Sequence, residues 1–145
     1  MLRGNYPATV DSKGRLKIPA SFLAELQDSG SEFYVTSETG ARAIIYPMKV
    51  WQEIEARLLK VSSQNPAVQK FLLRTSYYGQ VVTLDKQGRL LIPTVLREAA
   101  EMKGNVDVLG ALTRLEVWNH MRFVDSLKAQ EWTDEDRKSL ADLGI

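Results

Sequence analysis

The sequence predicts an α+β protein made of two tandem β-rich units, each with a β-hairpin in a barrel-like arrangement and short flanking helices. Two observations predict this fold class: one motif occurs twice, half a chain apart, and the same order of strands and helices follows each copy. The motif T-x-D-x-x-G-R-L-x-I-P runs from Thr9 to Pro19 and from Thr83 to Pro93, with seven identical positions at an offset of 74 residues. We infer an internal duplication with pseudo-two-fold symmetry.

Each copy of the motif predicts a tight β-hairpin. Strands are expected at Tyr6–Val10 and Val81–Leu84, each leading into a D-x-x-G turn. The aspartate of such a turn can accept hydrogen bonds from the turn backbone, and the glycine can adopt a positive φ. The residues predicted to shape the two turns are Asp11, Gly14, Asp85 and Gly88.

The strand that returns from each turn has two faces, because successive side chains of a strand point to opposite sides. The outer face is expected to carry Arg15 and Lys17 in the first copy and Arg89 and Leu91 in the second. Since Leu91 is apolar, we expect it either in a subunit contact or buried. The residues of the predicted inner face are Leu16, Ile18, Leu90 and Ile92.

The rest of each half follows one order: a short amphipathic helix after the proline of the motif, two apolar strands, and a longer helix. The second helix of the first half is expected to begin at Pro47 and to bury Trp51 and Ile54 on one face. The segments concerned are 20–26, 32–38, 43–47 and 48–60 in the first half, and 94–102, 106–112, 115–119 and 121–130 in the second.

The helical patterns also mark the domain boundaries. A helix is expected to begin at Pro66 with Asn65 as its cap, which places a connecting segment between the two units. Thr133 opens a T-x-x-D pattern typical of a capping box, although the acidic tail that contains it is equally compatible with a frayed end. The predicted organisation is 1–60 first unit, 61–76 connection, 77–130 second unit and 131–145 acidic tail.

Composition excludes several classes of function. The chain has no cysteine and one histidine, His120, so disulfides, thiolate chemistry and multi-histidine metal sites are excluded. His120 is expected to cap or pack a helix, Glu53 and Glu55 are two residues apart and do not face each other, and no phosphate-binding loop is present. We expect neither an enzyme nor a cofactor or small-molecule substrate. Without a signal peptide or a long apolar run, the expected location is the cytoplasm.

Charge is distributed unevenly along the chain. The formal net charge is +1, but residues 1–74 carry ten basic and seven acidic side chains, and residues 75–145 carry nine and eleven. The two halves therefore have net charges of +3 and −2. A basic first half is a modest indication of an anionic partner, and ordinary solvated surfaces are the alternative.

The basic hairpins suggest contact with double-stranded DNA. A two-stranded ribbon fits the major groove, where arginine can bind a guanine edge and lysine can neutralise phosphates. Asp11, four residues before Arg15, is placed to orient its guanidinium. The first hairpin is expected to be the main contact, because Gln87 and Leu91 replace two of its lysines. The candidate DNA-binding residues are Arg15, Lys13, Lys17, Arg3, Arg89 and Lys86. On spacing alone, the turns could equally be folding elements.

At these residues the sequence resembles the MraZ family, whose members carry two SpoVT-AbrB-like units and a D-x-x-x-R signature. The resemblance covers nearly the whole chain and includes the opening MLRGNY and both motifs, Asp11–Arg15 and Asp85–Arg89. It implies a nucleoid-associated bacterial transcription factor that acts on promoters of a division and cell-wall gene cluster, its own included. It also implies ring-shaped homo-oligomers that bind repeated short sites, with Arg15 matching the arginine that contacts DNA.

Three alternatives remain open at the level of sequence. An AbrB-like antitoxin would share the hairpin chemistry, but such proteins usually have a single repeat and form swapped dimers. An oligomeric scaffold would use its basic hairpins to bind an acidic protein. An enzyme is the least supported of the three, since the candidate aspartates lie beside arginines. Most aromatic side chains are expected in the core or at subunit interfaces, with Tyr6 as an exception near Arg3.

Overall fold

The computed structural model describes all 145 residues, and it contains eight β-strands and six α-helices. The strands are β1 Leu2–Val10, β2 Arg15–Lys17, β3 Glu32–Thr36, β4 Ala43–Pro47, β5 Gln80–Thr83, β6 Arg89–Leu91, β7 Gly104–Leu112 and β8 Arg114–Asn119. The helices are α1 Ala20–Glu25, α2 Met48–Leu58, α3 Pro66–Tyr77, α4 Thr94–Ala99, α5 His120–Ala129 and α6 Asp134–Asp142. A 3-10 turn, Gln27–Ser29, follows α1.

One antiparallel sheet contains all eight strands, in the order β5-β3-β4-β8-β7-β1-β2-β6. Its two end strands, β5 and β6, lie against each other, so the sheet forms a nearly closed barrel. The α+β class with repeated β-rich units is confirmed. The equivalent elements recur at the predicted offset of 74 residues: β2 and α1 of the first half correspond to β6 and α4 of the second.

The two halves interleave within this sheet. Strand β1 pairs along its whole length with β7 of the second half, from Leu2 opposite Leu112 to Val10 opposite Gly104. Reciprocally, β5 of the second half pairs with β3 of the first. The halves also meet where β4 pairs with β8 and where β2 pairs with β6. Each half therefore contributes its first strand to the other half.

Because the strands interleave, one hydrophobic core serves both halves. It consists of 20 buried residues drawn from both halves of the chain. Leu16 and Leu90 lie directly opposite each other in the β2–β6 pair, and both side chains are fully buried. Burial of large apolar side chains is the dominant favourable term in folding, so separation of the halves would expose the centre of the core.

A smaller aromatic cluster lies outside the barrel under α2 and α3. Trp51 of α2 is buried there and stacks on Tyr34 at a ring-centroid distance of 4.6 Å, and its ring lies 6.1 Å from that of Phe71 in α3. The predicted apolar face of α2 is thus confirmed at Trp51. Tyr77, expected in the core or at a subunit interface, is exposed, which corrects the core assignment.

Helix starts agree closely with the sequence signals. The Asn65 side chain accepts a hydrogen bond from the Ala67 N–H at 2.9 Å, and Thr133 and Asp136 form the reciprocal bonds of a capping box. Asn119 caps α5, so capping, the first of the two roles expected for His120, is wrong. No helix is both long enough and apolar enough to span a lipid bilayer.

Candidate nucleic-acid interface

The first hairpin turn is built around the carboxylate of Asp11. Its Oδ1 accepts the backbone N–H groups of Lys13 and Arg15, each at 2.9 Å, and its own carbonyl accepts the N–H of Gly14. Gly14 has φ +82°, a conformation that side-chain-bearing L-residues rarely adopt. The D-x-x-G spacing therefore produces a rigid turn in which one carboxylate satisfies two backbone donors.

The same carboxylate also holds the arginine. Arg15 Nε donates to Asp11 Oδ2 at 2.9 Å, while the terminal guanidinium nitrogens have no hydrogen-bond partner in the chain. The backbone N–H of Arg15 is the main cause that lowers the pKa of Asp11 below 3.8, and the Arg15 side chain and Lys13 N–H add to it against a smaller opposing effect of burial. Asp11 thus orients the Arg15 guanidinium through its Nε edge, and the edge with the two terminal nitrogens is free to bind a partner.

The second hairpin repeats this geometry. Asp85 Oδ1 accepts the N–H groups of Gln87 and Arg89, each at 2.9 Å, and its Oδ2 accepts from Arg89 Nε at 2.8 Å. Gly88 has φ +73°, and hydrogen bonds to Arg89 hold the pKa of Asp85 below its usual value. The two arginines are therefore held in equivalent ways.

The two hairpins lie side by side on one face of the barrel. In the β2–β6 pair, Arg15 is opposite Leu91 and Lys17 is opposite Arg89, with the inner face between them buried. Ile18 N–H donates to the carbonyl of Gly88, and its counterpart in the second half donates to the first turn, both at 2.9 Å. Diagonal positions in such a pair are about 7–8 Å apart, so both arginines belong to one surface. We call it the hairpin face: Lys13, Arg15, Lys17, Lys86, Arg89 and Leu91.

The other predicted residues are placed less uniformly. Leu91 is 43% exposed, so the buried alternative is wrong, and a subunit contact at Leu91 stays a prediction. Arg3 lies on β1 seven residues before Val10, about 23 Å along the strand from the first turn, so the structure does not bring it to the hairpin face. Tyr6 packs edge-on against Phe22 at 5.0 Å.

Arg97, which sequence reasoning missed, also reaches the first turn. Its Nη1 donates to the carbonyl of Lys13 at 3.1 Å. At the second turn, the ammonium group of Lys17 donates to the carbonyl of Gln87. Both bonds connect residues of opposite halves, more than 65 positions apart in the chain, so no local pattern could have revealed them.

His120 has a buried partner. Its Nδ1 lies 2.6 Å from Oδ2 of Asp107, which is 5% exposed on β7. This pair anchors the start of α5 to the sheet, which agrees with the packing role expected for His120. No group of three or more His, Cys, Asp or Glu side chains is positioned to hold a metal ion.

The repeat seen in the sequence and in the sheet is also present in a family model. A model described as "MraZ protein, putative antitoxin-like" matches residues 1–74 and again residues 79–142. The chain belongs to the MraZ family. Each match contains one Asp–Arg hairpin, so the two MraZ-family segments correspond to the two halves that interleave in the sheet.

Relatives within the MraZ family extend over the full length of the chain. Proteins named "Transcriptional regulator MraZ" from Koribacter versatilis and Acidobacterium capsulatum are 49% and 45% identical over 147 and 146 residues, covering all of both chains in each case. A protein of the same name from Halothermothrix orenii is 36% identical over 151 residues, again with full coverage. A role in transcription regulation is therefore supported for this chain at the level of the family.

Proposed function

We propose that this MraZ-family chain regulates transcription by binding double-stranded DNA through the hairpin face. The observation that carries the proposal is that two arginines, each fixed by an aspartate, lie on one exposed strand pair. Guanidinium groups that are already held in place lose little conformational entropy on binding. They therefore bind an anionic partner more tightly than mobile arginine side chains do. The proposal is one of binding, and it assigns no catalysis to the chain.

The geometry of the hairpin face suits duplex DNA. The β2–β6 strand pair and its two turns form a two-stranded element, a type that can enter the major groove. The free guanidinium nitrogens of Arg15 and Arg89 can form paired hydrogen bonds to a guanine edge or clamp a phosphate. Lys13 and Lys86, at the tips of the turns, are exposed and can neutralise phosphates on either side.

The MraZ resemblance extends the proposal to the target and the assembly. We propose that the chain acts in the cytoplasm on the nucleoid, at repeated short sites in promoters of a division and cell-wall gene cluster that includes its own gene. With a net charge of +1, a single copy is expected to bind weakly. A ring-like homo-oligomer would present several hairpin faces at once, so weak contacts would add up where the DNA repeats match their spacing.

A fluorescence-anisotropy titration tests this function. The probes are duplexes from upstream of the chain's own gene, with one or several repeats, and a scrambled duplex as the control. We expect affinity to rise steeply with the number of repeats and to fall as salt increases. Equal affinity for one repeat and for several would contradict the multivalent assembly. Absence of binding to every duplex at low salt would favour an oligomeric scaffold that binds an acidic protein.

A further inference from the structure

Each hairpin turn is covered by a cation that the other half of the chain supplies. We propose that Arg97 completes a phosphate-binding cluster with Lys13 and Arg15 at the first turn, and that Lys17 does the same with Lys86 and Arg89 at the second. This inference rests on the proposed DNA binding and adds a contact residue, Arg97, that lies outside both motifs. It also makes the two turns equally basic.

The first cluster follows from the position of Arg97 on α4. The guanidinium lies directly over Gly14, so that a β-carbon at that position would be 1.1 Å from Arg97 Nη1. Nη1 donates to the Lys13 carbonyl at 3.1 Å and Nη2 to Thr94 Oγ1 at 3.4 Å. Glycine at position 14 therefore serves the turn conformation and leaves room for a cation from the other half.

In the second cluster, the cation that binds the tip carbonyl comes from a different position of the repeat, Lys17. Gln87, whose carbonyl accepts from the Lys17 ammonium, is the counterpart of Lys13 at the offset of 74 residues. The counterpart of Arg97 at this offset is Leu23, whose Cδ1 would lie 2.8 Å from a β-carbon at Gly88. At each turn, one cation binds the tip carbonyl. Leu23 occupies the other covering position at the second turn, and the equivalent position for the first turn, by the offset of 74 residues from Lys17, is Leu91.

Because each half supplies a cation to the turn of the other half, the number of cations at each turn differs from the number that its own hairpin carries. Along the sequence the first hairpin carries three cations, Lys13, Arg15 and Lys17, and the second carries two, Lys86 and Arg89. In space, Lys17 covers the second turn and Arg97 covers the first, so each turn has three cations and one aspartate. Glu98 and Lys103, which also border the first turn, carry opposite charges. The first hairpin is therefore not the more basic of the two.

Phosphate is the ligand chemistry that these clusters fit. The covering cations lie at the tips of the turns, away from the buried strand pair, and their partners are neutral: backbone carbonyls and, for Arg97, the Thr94 hydroxyl as well. Such a cation keeps its full charge for an external anion. In a duplex bound by the hairpin face, the two clusters would meet the backbones that border the groove, and each contact would release counterions without regard to base sequence.

The pseudo-symmetry provides a rescue experiment. Variants Arg97→Leu and Lys17→Leu each remove one covering cation, and a second change returns it from the alternative position: Leu91→Lys for the first turn and Leu23→Arg for the second. Each single variant is expected to weaken binding severalfold to upstream and scrambled duplexes alike, and to lower the slope of log affinity against log salt by about 1. Each double variant is expected to restore the affinity and the slope. Unfolding midpoints and oligomer size serve as controls for the fold.

The outcomes separate this inference from the proposed function. If the wild type binds and Arg97→Leu binds equally well with the same salt slope, the cluster is refuted while DNA binding stands. If Arg97→Leu weakens binding and Leu91→Lys fails to restore it in a folded protein, Arg97 acts only on the shape of the turn, and the cluster is again refuted. If the wild type binds neither duplex at low salt, the proposed function fails and this inference fails with it.

Discussion

The two hairpin turns have the same backbone arrangement, but different side chains bind their tip carbonyls. Both place an aspartate against two N–H groups and one arginine, and both use a glycine with positive φ. They differ in the side chain that binds the tip carbonyl: Arg97 comes from a helix at the first turn, and Lys17 comes from a strand at the second. One duplicated backbone therefore accommodates the covering cation at two different positions.

The core provides the first way to test this equivalence, with the largest expected effect. Leu16 and Leu90 are opposite each other and fully buried, so Leu16→Ala and Leu90→Ala should each lower the free energy of unfolding by about 2–5 kcal/mol. Urea denaturation measures this loss. Leu91→Ala, on the exposed side of the same strand, is the matched control and should change it by less than about 0.5 kcal/mol. A large loss for only one core leucine would contradict a core shared equally by the halves.

The two turn glycines, Gly14 and Gly88, give a second test of how alike the turns are. Gly14→Ala and Gly88→Ala should each destabilise the protein by about 1–2 kcal/mol, because alanine is strained at positive φ. Gly104→Ala is the control, since Gly104 also has a positive φ, +63°, but a β-carbon there would meet no atom within 4 Å. Gly14→Ala should lose more unfolding free energy than this control, because the new methyl group displaces the Arg97 guanidinium. If urea denaturation gave Gly14→Ala a smaller loss of unfolding free energy than Gly104→Ala, the contact between Gly14 and Arg97 would not contribute to stability.

The aspartates give the smallest effect, which depends on pH. The pKa of each turn aspartate, Asp11 and Asp85, is lower in the folded protein than its ordinary 3.8. Their contribution to stability is therefore complete above about pH 3.8 and is lost as pH falls through the folded values. We expect Asp11→Asn and Asp85→Asn to reduce the acid dependence of the unfolding free energy equally. Asp136→Asn removes a carboxyl in α6 whose pKa is also lowered, and it should leave the acid dependence that comes from Asp11 and Asp85 unchanged.

The sequence could predict what depends on neighbours in the chain. The D-x-x-G turns, the buried Leu16 and Leu90, and the caps at Asn65 and Thr133 all follow from local chemistry or from a period of two or 3.6 residues. The repeat revealed the pseudo-symmetry, because equivalent segments were expected to adopt equivalent structures.

The remaining features could not be predicted because they arise from pairing between halves. Nothing in a single motif specifies that β1 pairs with β7, or that β2 lies against β6. Arg97 reads in sequence as an ordinary exposed position of a short helix, and only the interleaved sheet brings it to Gly14. The same pairing explains why Lys17, assigned by sequence to the first hairpin, covers the second.

The most direct test of one joint hairpin face compares Arg15→Ala with Arg89→Ala in anisotropy titrations at two salt concentrations. The probe is the upstream duplex with several repeats, and oligomer size is checked for each variant. Because the two arginines are held equivalently on one strand pair, we expect both variants to lose affinity to a similar degree, by about 1–3 kcal/mol if they contact base edges. Loss of binding in Arg15→Ala alone would contradict the joint face and assign DNA contact to the first hairpin. Unchanged binding in both variants would exclude the hairpin face as the DNA-binding surface.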